Sequence, residues 1–144
     1  MRQNIRYNVF ETNSSSVHSL TILPLDEFEE FKKGNFYLDW NDNLLTFDEA
    51  FSKMFSGSYT YEEAKKDFAK YEGYNNIDKC IKDNEFDEAS LKIAVFNYVN
   101  TENGYDFHTY DTMLGDEQWE YETFERYYTT KSGDEIVVFG YYGR

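Results

Sequence analysis

The chain has 144 residues, a length typical of a single domain, and we expect one domain over residues 1–144. One fifth of the residues are aromatic and only one is proline, a composition that excludes a wholly disordered chain. The net charge of −14 excludes binding to nucleic-acid phosphates, and the single cysteine, Cys80, excludes an internal disulfide.

The chain contains no apolar stretch of membrane-spanning length, and its first residues do not form a signal peptide. We therefore expect a cytoplasmic protein with no membrane partner.

The first predicted elements are a strand, a short helix and a second strand. The segment SVHSLTIL is short, apolar and β-branched, which predicts a strand ending at Pro24. In PLDEFEEFKKG the acids come first, the lysines come last and Gly34 follows, which predicts a short helix. NFYLDW is typical of another strand.

The middle of the chain has helix signals. TFDE at Thr46 and TYEE at Thr60 are capping boxes that predict helices over 47–55 and 61–71. A further helix over 77–83 would place Cys80 on its apolar face. EFDEASLKIAVFNYVN fits a helix capped by Asp87, although KIAVFNYV also fits a buried strand. We favour the helix.

The C-terminal part has the pattern of a β-hairpin. Two apolar and aromatic runs, WEYETFERYYTT and EIVVFGYYG, flank KSGD, in which Gly133 supplies the turn. The sequence therefore predicts an α+β fold, in which an antiparallel sheet includes a C-terminal β-hairpin and several short helices are inserted in the middle.

The segment FETNSSSVHSL raises the question of an enzyme, because it places several serines beside His18. The segment contains no G-x-S-x-G elbow, and only Ser16 would share a strand face with His18. In HSL and HTY the hydroxyl residue comes one position after His18 and His108. In a two-histidine phosphoesterase it comes two positions after each histidine, so that both side chains lie on the same face of a strand. The spacing favours a turn capped by Asn and Ser side chains and followed by a strand.

Metal sites have partial signals. Asp39, Asn41 and Asn43 match the first three ligand positions of a calcium loop, but Leu44 and Ala50 replace the required Gly and Glu. A second possible ligand group, Asp106, His108 and Asp111, is more typical of a solvated polar loop. We expect no metal and no cofactor.

The acids are unevenly distributed. Residues 26–49 carry eight acids against two bases, and residues 93–125 carry eight acids and no base. Such rows of carboxylates, about 6.6 to 6.8 Å apart on one strand face, imitate nucleic-acid phosphates. An ordinary solvated surface is the alternative. The residues expected to contact a basic partner are Asp116, Glu117, Glu120, Glu122, Glu125, Asp39, Asp42 and Asp48, with Trp119 and Tyr121 as aromatic contacts.

The opening RYNVFETNSSSVHSLTI, residues 6–22, resembles the start of small uncharacterised proteins from phages and mobile elements of Gram-positive bacteria. The small, acidic, cysteine-poor profile also resembles anti-CRISPR proteins that inhibit Cas9, several of which mimic DNA. This resemblance implies a non-enzymatic inhibitor that acts in the bacterial cytoplasm on Cas9 or another defence nuclease. The alternative is a small enzyme or nucleotide-binding anti-defence protein that uses Asn13, Ser16, His18 and Arg6.

Overall fold

The α+β class is confirmed by the computed structural model, which describes the backbone at residues 5–10, 17–114 and 121–143 and the side chains at residues 20–114 and 122–141. The described elements, in chain order, are β1 (Ile5–Phe10), β2 (Val17–Pro24), α1 (Leu25–Lys32), β3 (Tyr37–Leu38), β4 (Leu44–Leu45), α2 (Phe47–Met54), α3 (Tyr61–Tyr71), α4 (Ile77–Asn84), α5 (Glu88–Glu102), α6 (Tyr110–Leu114), β5 (Tyr121–Thr129) and β6 (Glu135–Gly143).

The chain divides into two compact units. The sheet unit comprises Met1–Phe47 and Phe107–Arg144, and the helical unit comprises Asp48–Asp106. The helical unit is therefore an insertion between two segments that share one sheet. Whether the two units form one domain, as the length predicts, stays a prediction.

The sheet unit is built on four antiparallel strands in the order β1-β2-β6-β5. The predicted C-terminal hairpin, β5–β6, is confirmed, and Gly133 in its turn has a positive φ of 91° that favours glycine. Strand β2 pairs with β6 so that Pro24 lies opposite Ile136. Because α1 begins at Leu25, its first turn lies beside the β5–β6 turn.

One face of this sheet packs against α1 and α6. Phe28 and Phe31 of α1 are fully buried against Phe139 of β6, with ring centroids 5.0 and 5.7 Å apart. Tyr110 of α6 meets Phe28 edge-on at 6.0 Å. Apolar burial of these rings is the main force that holds α1 on the sheet.

The helical unit has its own core between α3, α4 and α5. Its buried side chains are Ala64, Phe68, Ala69, Cys80, Leu91, Val95 and Val99. Burial raises the pKa of the Cys80 thiol, consistent with a core cysteine. The predicted helices are confirmed at α2, α3, α4 and α5. The bounds of α2, α3 and α4 agree with the predicted bounds to within one residue. In α5 the Asp87 side chain accepts a hydrogen bond from the Ser90 amide at 2.7 Å, which completes the cap.

Several elements differ from the sequence expectation. The strand expected in NFYLDW spans only Tyr37–Leu38, which pairs with Leu44–Leu45. Strand β1 and helix α6 are present in addition to the predicted elements. A five-residue helix such as α6 has too few turns to show a helical period in the sequence. Among the described residues no helix is long and apolar enough to cross a membrane.

Candidate partner-binding surface

An acidic concave surface of the sheet unit lies where α1 meets the β5–β6 turn. It is a cleft of about 550 Å³ between the first turns of α1 and the start of β6. Four exposed acids line it: Asp26, Glu29, Asp134 and Glu135. No Lys or Arg is among the described residues that line it. We call this surface the acidic cleft.

The local structure explains why these acids converge. Asp26 and Glu29 lie three positions apart on α1, so their Cβ atoms are about 5 to 6 Å apart on one face. An acid in the first turn also stabilises the helix dipole. Asp134 is the last residue of the β5–β6 turn and Glu135 begins β6, and the pairing of Pro24 with Ile136 places both residues beside α1.

The β5–β6 turn is held by side-chain hydrogen bonds. The Thr130 hydroxyl accepts from the Asp134 amide at 3.1 Å, and the Ser132 hydroxyl donates to the Asp134 carboxylate at 3.1 Å. Backbone bonds between Thr130 and Asp134 and between Gly133 and Thr130 close the loop. The position of the Asp134 carboxylate is therefore fixed before a partner binds, which reduces the ordering entropy lost on binding.

Exposed tyrosines flank the acidic cleft. Tyr127 and Tyr128 on β5 are 55% and 54% exposed, and both line a smaller hollow that shares Glu135 with the acidic cleft. Burial raises the pKa of Tyr127, as do its hydrogen bond to Glu125 and the nearby Glu29 carboxylate. At pH 7 the hydroxyl is neutral and donates. Tyrosine beside carboxylates is typical of protein interfaces.

Glu125 and Glu122, two of the predicted contact residues, lie on opposite faces of β5. Glu125 lies opposite the buried Phe139 and accepts hydrogen bonds from the hydroxyls of Tyr110 and Tyr127, the latter at 3.1 Å. Glu122 is exposed. Since strand side chains alternate, these two carboxylates do not form one acidic row.

Asp39 and Asp42 are buried, 6% and 4% exposed, which corrects the prediction that they belong to an exposed acidic surface. The Asp39 carboxylate accepts from the amides of Asn41 and Asn43 at 2.9 and 2.8 Å and from the Asn43 side chain at 3.1 Å. It therefore closes the β3–β4 turn. Asp42 occupies this turn with a φ of 59°. Asp48 is exposed in the first turn of α2.

The other predicted contact residues lie wholly or partly outside the described residues. Tyr121 begins β5, but its side chain is among those not described. The remaining four, outside the described backbone, are Asp116, Glu117, Trp119 and Glu120.

The alternative site combines Asn13, Ser16, His18 and Arg6. The structure describes only the backbone of His18 and Arg6. His18 lies in β2 between Val9 and Tyr142, and Arg6 lies in β1 opposite Thr21. Asn13 and Ser16 lie outside the described residues. The structure therefore does not test the catalytic or nucleotide-binding site, which stays a prediction.

His108 is half-buried and structural in its contacts. Its Nδ1 lies 3.2 Å from the Thr112 hydroxyl, its ring meets Trp40 edge-on at 5.9 Å, and its backbone bridges to Leu38. In the part of the chain that the structure describes, no three His, Cys, Asp or Glu side chains form a group able to hold a metal ion.

Sequence reasoning missed all four acids of the acidic cleft as contact residues. The sequence pattern places Asp26 and Glu29 in a helix and in an acid-rich segment, without indicating a contact role. The available signal was the predicted order of strand, Pro24, helix and C-terminal hairpin. It becomes informative only once β2 is known to pair with β6.

Comparison with protein-family models, curated proteins and solved structures finds no match to this chain.

Proposed function

We propose that this protein is a non-enzymatic, acidic inhibitor that binds the basic nucleic-acid-binding surface of another protein. The observation that carries the proposal is the acidic cleft, which is lined by four exposed carboxylates and, among the described residues, by no Lys or Arg. A concave surface lined by one sign of charge concentrates its field and attracts a surface of opposite charge. Lys and Arg that normally contact phosphates provide such a surface.

The exposed tyrosines support a protein partner over a free cation. Tyr127 and Tyr128 are consecutive on β5, so their side chains alternate to opposite faces of the sheet, and each presents an exposed ring near Glu135. Such residues contribute a large share of interface binding energy. The net charge of −14 disfavours nucleic acid itself.

The resemblance of residues 6–22 to phage and mobile-element proteins suggests the kind of partner. A bacterial defence nuclease, with Cas9 as the first candidate, has a positively charged channel for nucleic acid. In this proposal the protein acts in the cytoplasm of the bacterial host and occupies that channel.

The test measures competition with nucleic acid. Binding of labelled DNA by Cas9 and its guide RNA is followed by fluorescence anisotropy as the protein is added. We expect displacement that weakens steeply between roughly 50 and 300 mM salt, because screening reduces attraction between exposed charges. Restriction nucleases serve as further candidates in the same assay.

Charge-neutralising variants locate the surface. The variant Asp26→Asn, Glu29→Gln, Asp134→Asn, Glu135→Gln should lose at least about tenfold in affinity, close to 1.4 kcal/mol. The matched control removes four exposed acids of the helical unit by the changes Glu63→Gln, Asp78→Asn, Asp83→Asn and Glu85→Gln. Equal losses in both variants would show that net charge, and not the acidic cleft, governs binding.

A third variant tests the acids predicted from the sequence, by the changes Asp116→Asn, Glu117→Gln, Glu120→Gln and Glu122→Gln. If none of the three variants changes binding to any candidate nuclease, or if no nuclease binds, the proposal is wrong.

A further inference from the structure

The helical unit has a groove of about 370 Å³ between α3 and α5 that the acidic cleft does not explain. Four aromatic rings and two carboxylates dominate its lining: Phe68, Tyr71, Phe86, Tyr98, Glu72 and Glu102. We call it the aromatic groove.

The rings form a fixed floor with one exposed wall. Phe68 is buried and lies 5.9 Å from Tyr98 and 6.1 Å from Phe86, measured between ring centroids. The Tyr71 ring is tilted against that of Tyr98, with the ring centroids 4.9 Å apart and 41° between the ring planes. Tyr71 is nevertheless 67% exposed, so most of its ring surface is open to a ligand.

The two carboxylates stand at helix ends where a negative charge is unfavourable. Glu72 caps the C-terminus of α3, and Glu102 is the last residue of α5. Helix C-termini carry partial negative charge, so an acid there costs stability and a cation compensates it. The last turn of α5 contains no basic residue, whereas the last turn of α3 contains Lys70. Neither carboxylate forms an ion pair with a described Lys or Arg.

A guanidinium group matches this combination of groups. The face of a tyrosine ring attracts a cation, and Arg stacks on such rings while donating hydrogen bonds to carboxylates. A nucleobase would also stack on the rings, but its phosphates would meet Glu72, Glu102 and two negative helix ends. An apolar segment would leave the rim carboxylates without a cation.

We infer that the aromatic groove binds an arginine side chain of a partner protein, stacked on Tyr71 and paired with Glu72 and Glu102. The inference rests on the proposed function only for the expectation that the partner is basic. It assigns a second contact surface, on the helical unit, that is separate from the acidic cleft.

The test uses the full-length protein and an acetylated, amidated Gly-Arg-Gly peptide. Backbone and aromatic NMR signals are followed during titration. We expect saturable shifts at the C-terminal ends of α3 and α5, with a dissociation constant on the order of 1 mM. The same peptide with citrulline, which is nearly isosteric and uncharged, should bind at least about tenfold more weakly, and the lysine peptide severalfold more weakly than arginine.

Variants separate a binding role from a structural one. Tyr71→Ala and the pair Glu72→Gln, Glu102→Gln should each weaken peptide binding at least about tenfold, whereas Tyr71→Phe, which keeps the ring, should stay within about threefold. Trp40→Ala, at a similarly exposed aromatic residue of the sheet unit, is the matched control and should bind normally. Because Tyr71 is mostly exposed, its variants should keep the melting temperature.

Three results would overturn the inference: equal binding of the arginine and citrulline peptides, shifts confined to other parts of the molecule, or shifts produced by a dinucleotide and not by the arginine peptide. Peptide binding without inhibition of any nuclease would support the aromatic groove and count against the proposed function. Nuclease inhibition without peptide binding would do the reverse.

Discussion

At the scale of single residues, Glu125 on β5 is an acid whose position is fixed by neighbouring side chains. Its carboxylate accepts hydrogen bonds from two tyrosine hydroxyls on the face of the sheet that packs against α6. Burial raises the pKa of Tyr110, and so does its hydrogen bond to Glu125. The Tyr110 proton is therefore held firmly, and the bond links α6 to the sheet.

Removal of the Tyr110 hydroxyl should destabilise the sheet unit. Tyr110→Phe keeps the ring against Phe28 and Phe31 but removes a hydrogen bond to a charged group, which costs about 1 to 2 kcal/mol. Urea unfolding at pH 7 measures this change. Tyr127→Phe is the control and should cost less than about 1 kcal/mol, because Tyr127 is largely exposed. A larger loss in Tyr127→Phe would contradict this assignment.

At the scale of helices and strands, the local signals act through backbone capping. Thr60 begins α3 by accepting a bond from the Glu63 amide at 3.2 Å, and Asp87 begins α5 by accepting from the Ser90 amide. The hydrogen bond from the Ser90 amide is the main reason that the pKa of the Asp87 carboxyl is lowered, and the Ser90 side chain acts in the same direction. Both caps accept a hydrogen bond from a backbone amide of the first helical turn, Thr60 through a neutral hydroxyl oxygen and Asp87 through a charged carboxylate oxygen.

The charged cap should depend on pH and the neutral cap should not. Because the folded pKa of Asp87 is lowered, its contribution is complete above the unfolded value of about 3.9 and disappears as pH falls through the folded value. Asp87→Ala should therefore lower the urea midpoint clearly at pH 7 and by a smaller amount near about pH 3, which is below the unfolded value. Thr60→Ala should cost about 1 kcal/mol at both pH values. An equal effect of Asp87→Ala at both pH values would refute the charge argument.

Capping residues and turn residues are the signals from which the sequence predicts the helices and the hairpin. The capping boxes at Thr46 and Thr60, the acid at Asp87 and the turn at Gly133 are local signals, and the elements they predict are present. The pairing of β2 with β6 joins residues that are far apart in the sequence, so no local signal reports it. The acidic cleft depends on that pairing and was therefore missed.

Burial of single acids is equally hard to read from the sequence. Asp39 and Asp42 lie in a polar segment, DWNDN, that resembles a solvated loop. In the structure Asp39 supplies the hydrogen bonds of a tight turn. Whether an acid caps backbone groups or faces a partner depends on a few ångströms of loop geometry, which the residue types do not determine.

At the scale of the whole molecule, charge dominates. The net charge of −14 on 144 residues implies that carboxylates repel one another over the whole surface. Self-repulsion of this kind destabilises the compact state, and salt screens it. The acidic cleft and the aromatic groove each concentrate part of this charge in a concave surface.

Salt should therefore stabilise the free protein while weakening its complex. Raising sodium chloride from about 10 to about 500 mM shortens the screening length from about 30 Å to below 10 Å, and the melting temperature should rise by several degrees. Differential scanning fluorimetry measures this change. The fourfold variant of the acidic cleft carries four fewer charges and should gain less from salt. A melting temperature that does not change with salt would contradict strong self-repulsion.

The strand order also determines when each strand can pair during synthesis on the ribosome. Strand β2 is made more than a hundred residues before β6, its partner on the inner side of the sheet. The helical unit, Asp48–Asp106, is continuous and is complete on the ribosome before β6 exists. Until β6 arrives, β2 pairs only with β1, and its other edge carries unpaired backbone groups. A chain released before β6 is translated would keep that edge open, and pairing with another such chain would lead to aggregation.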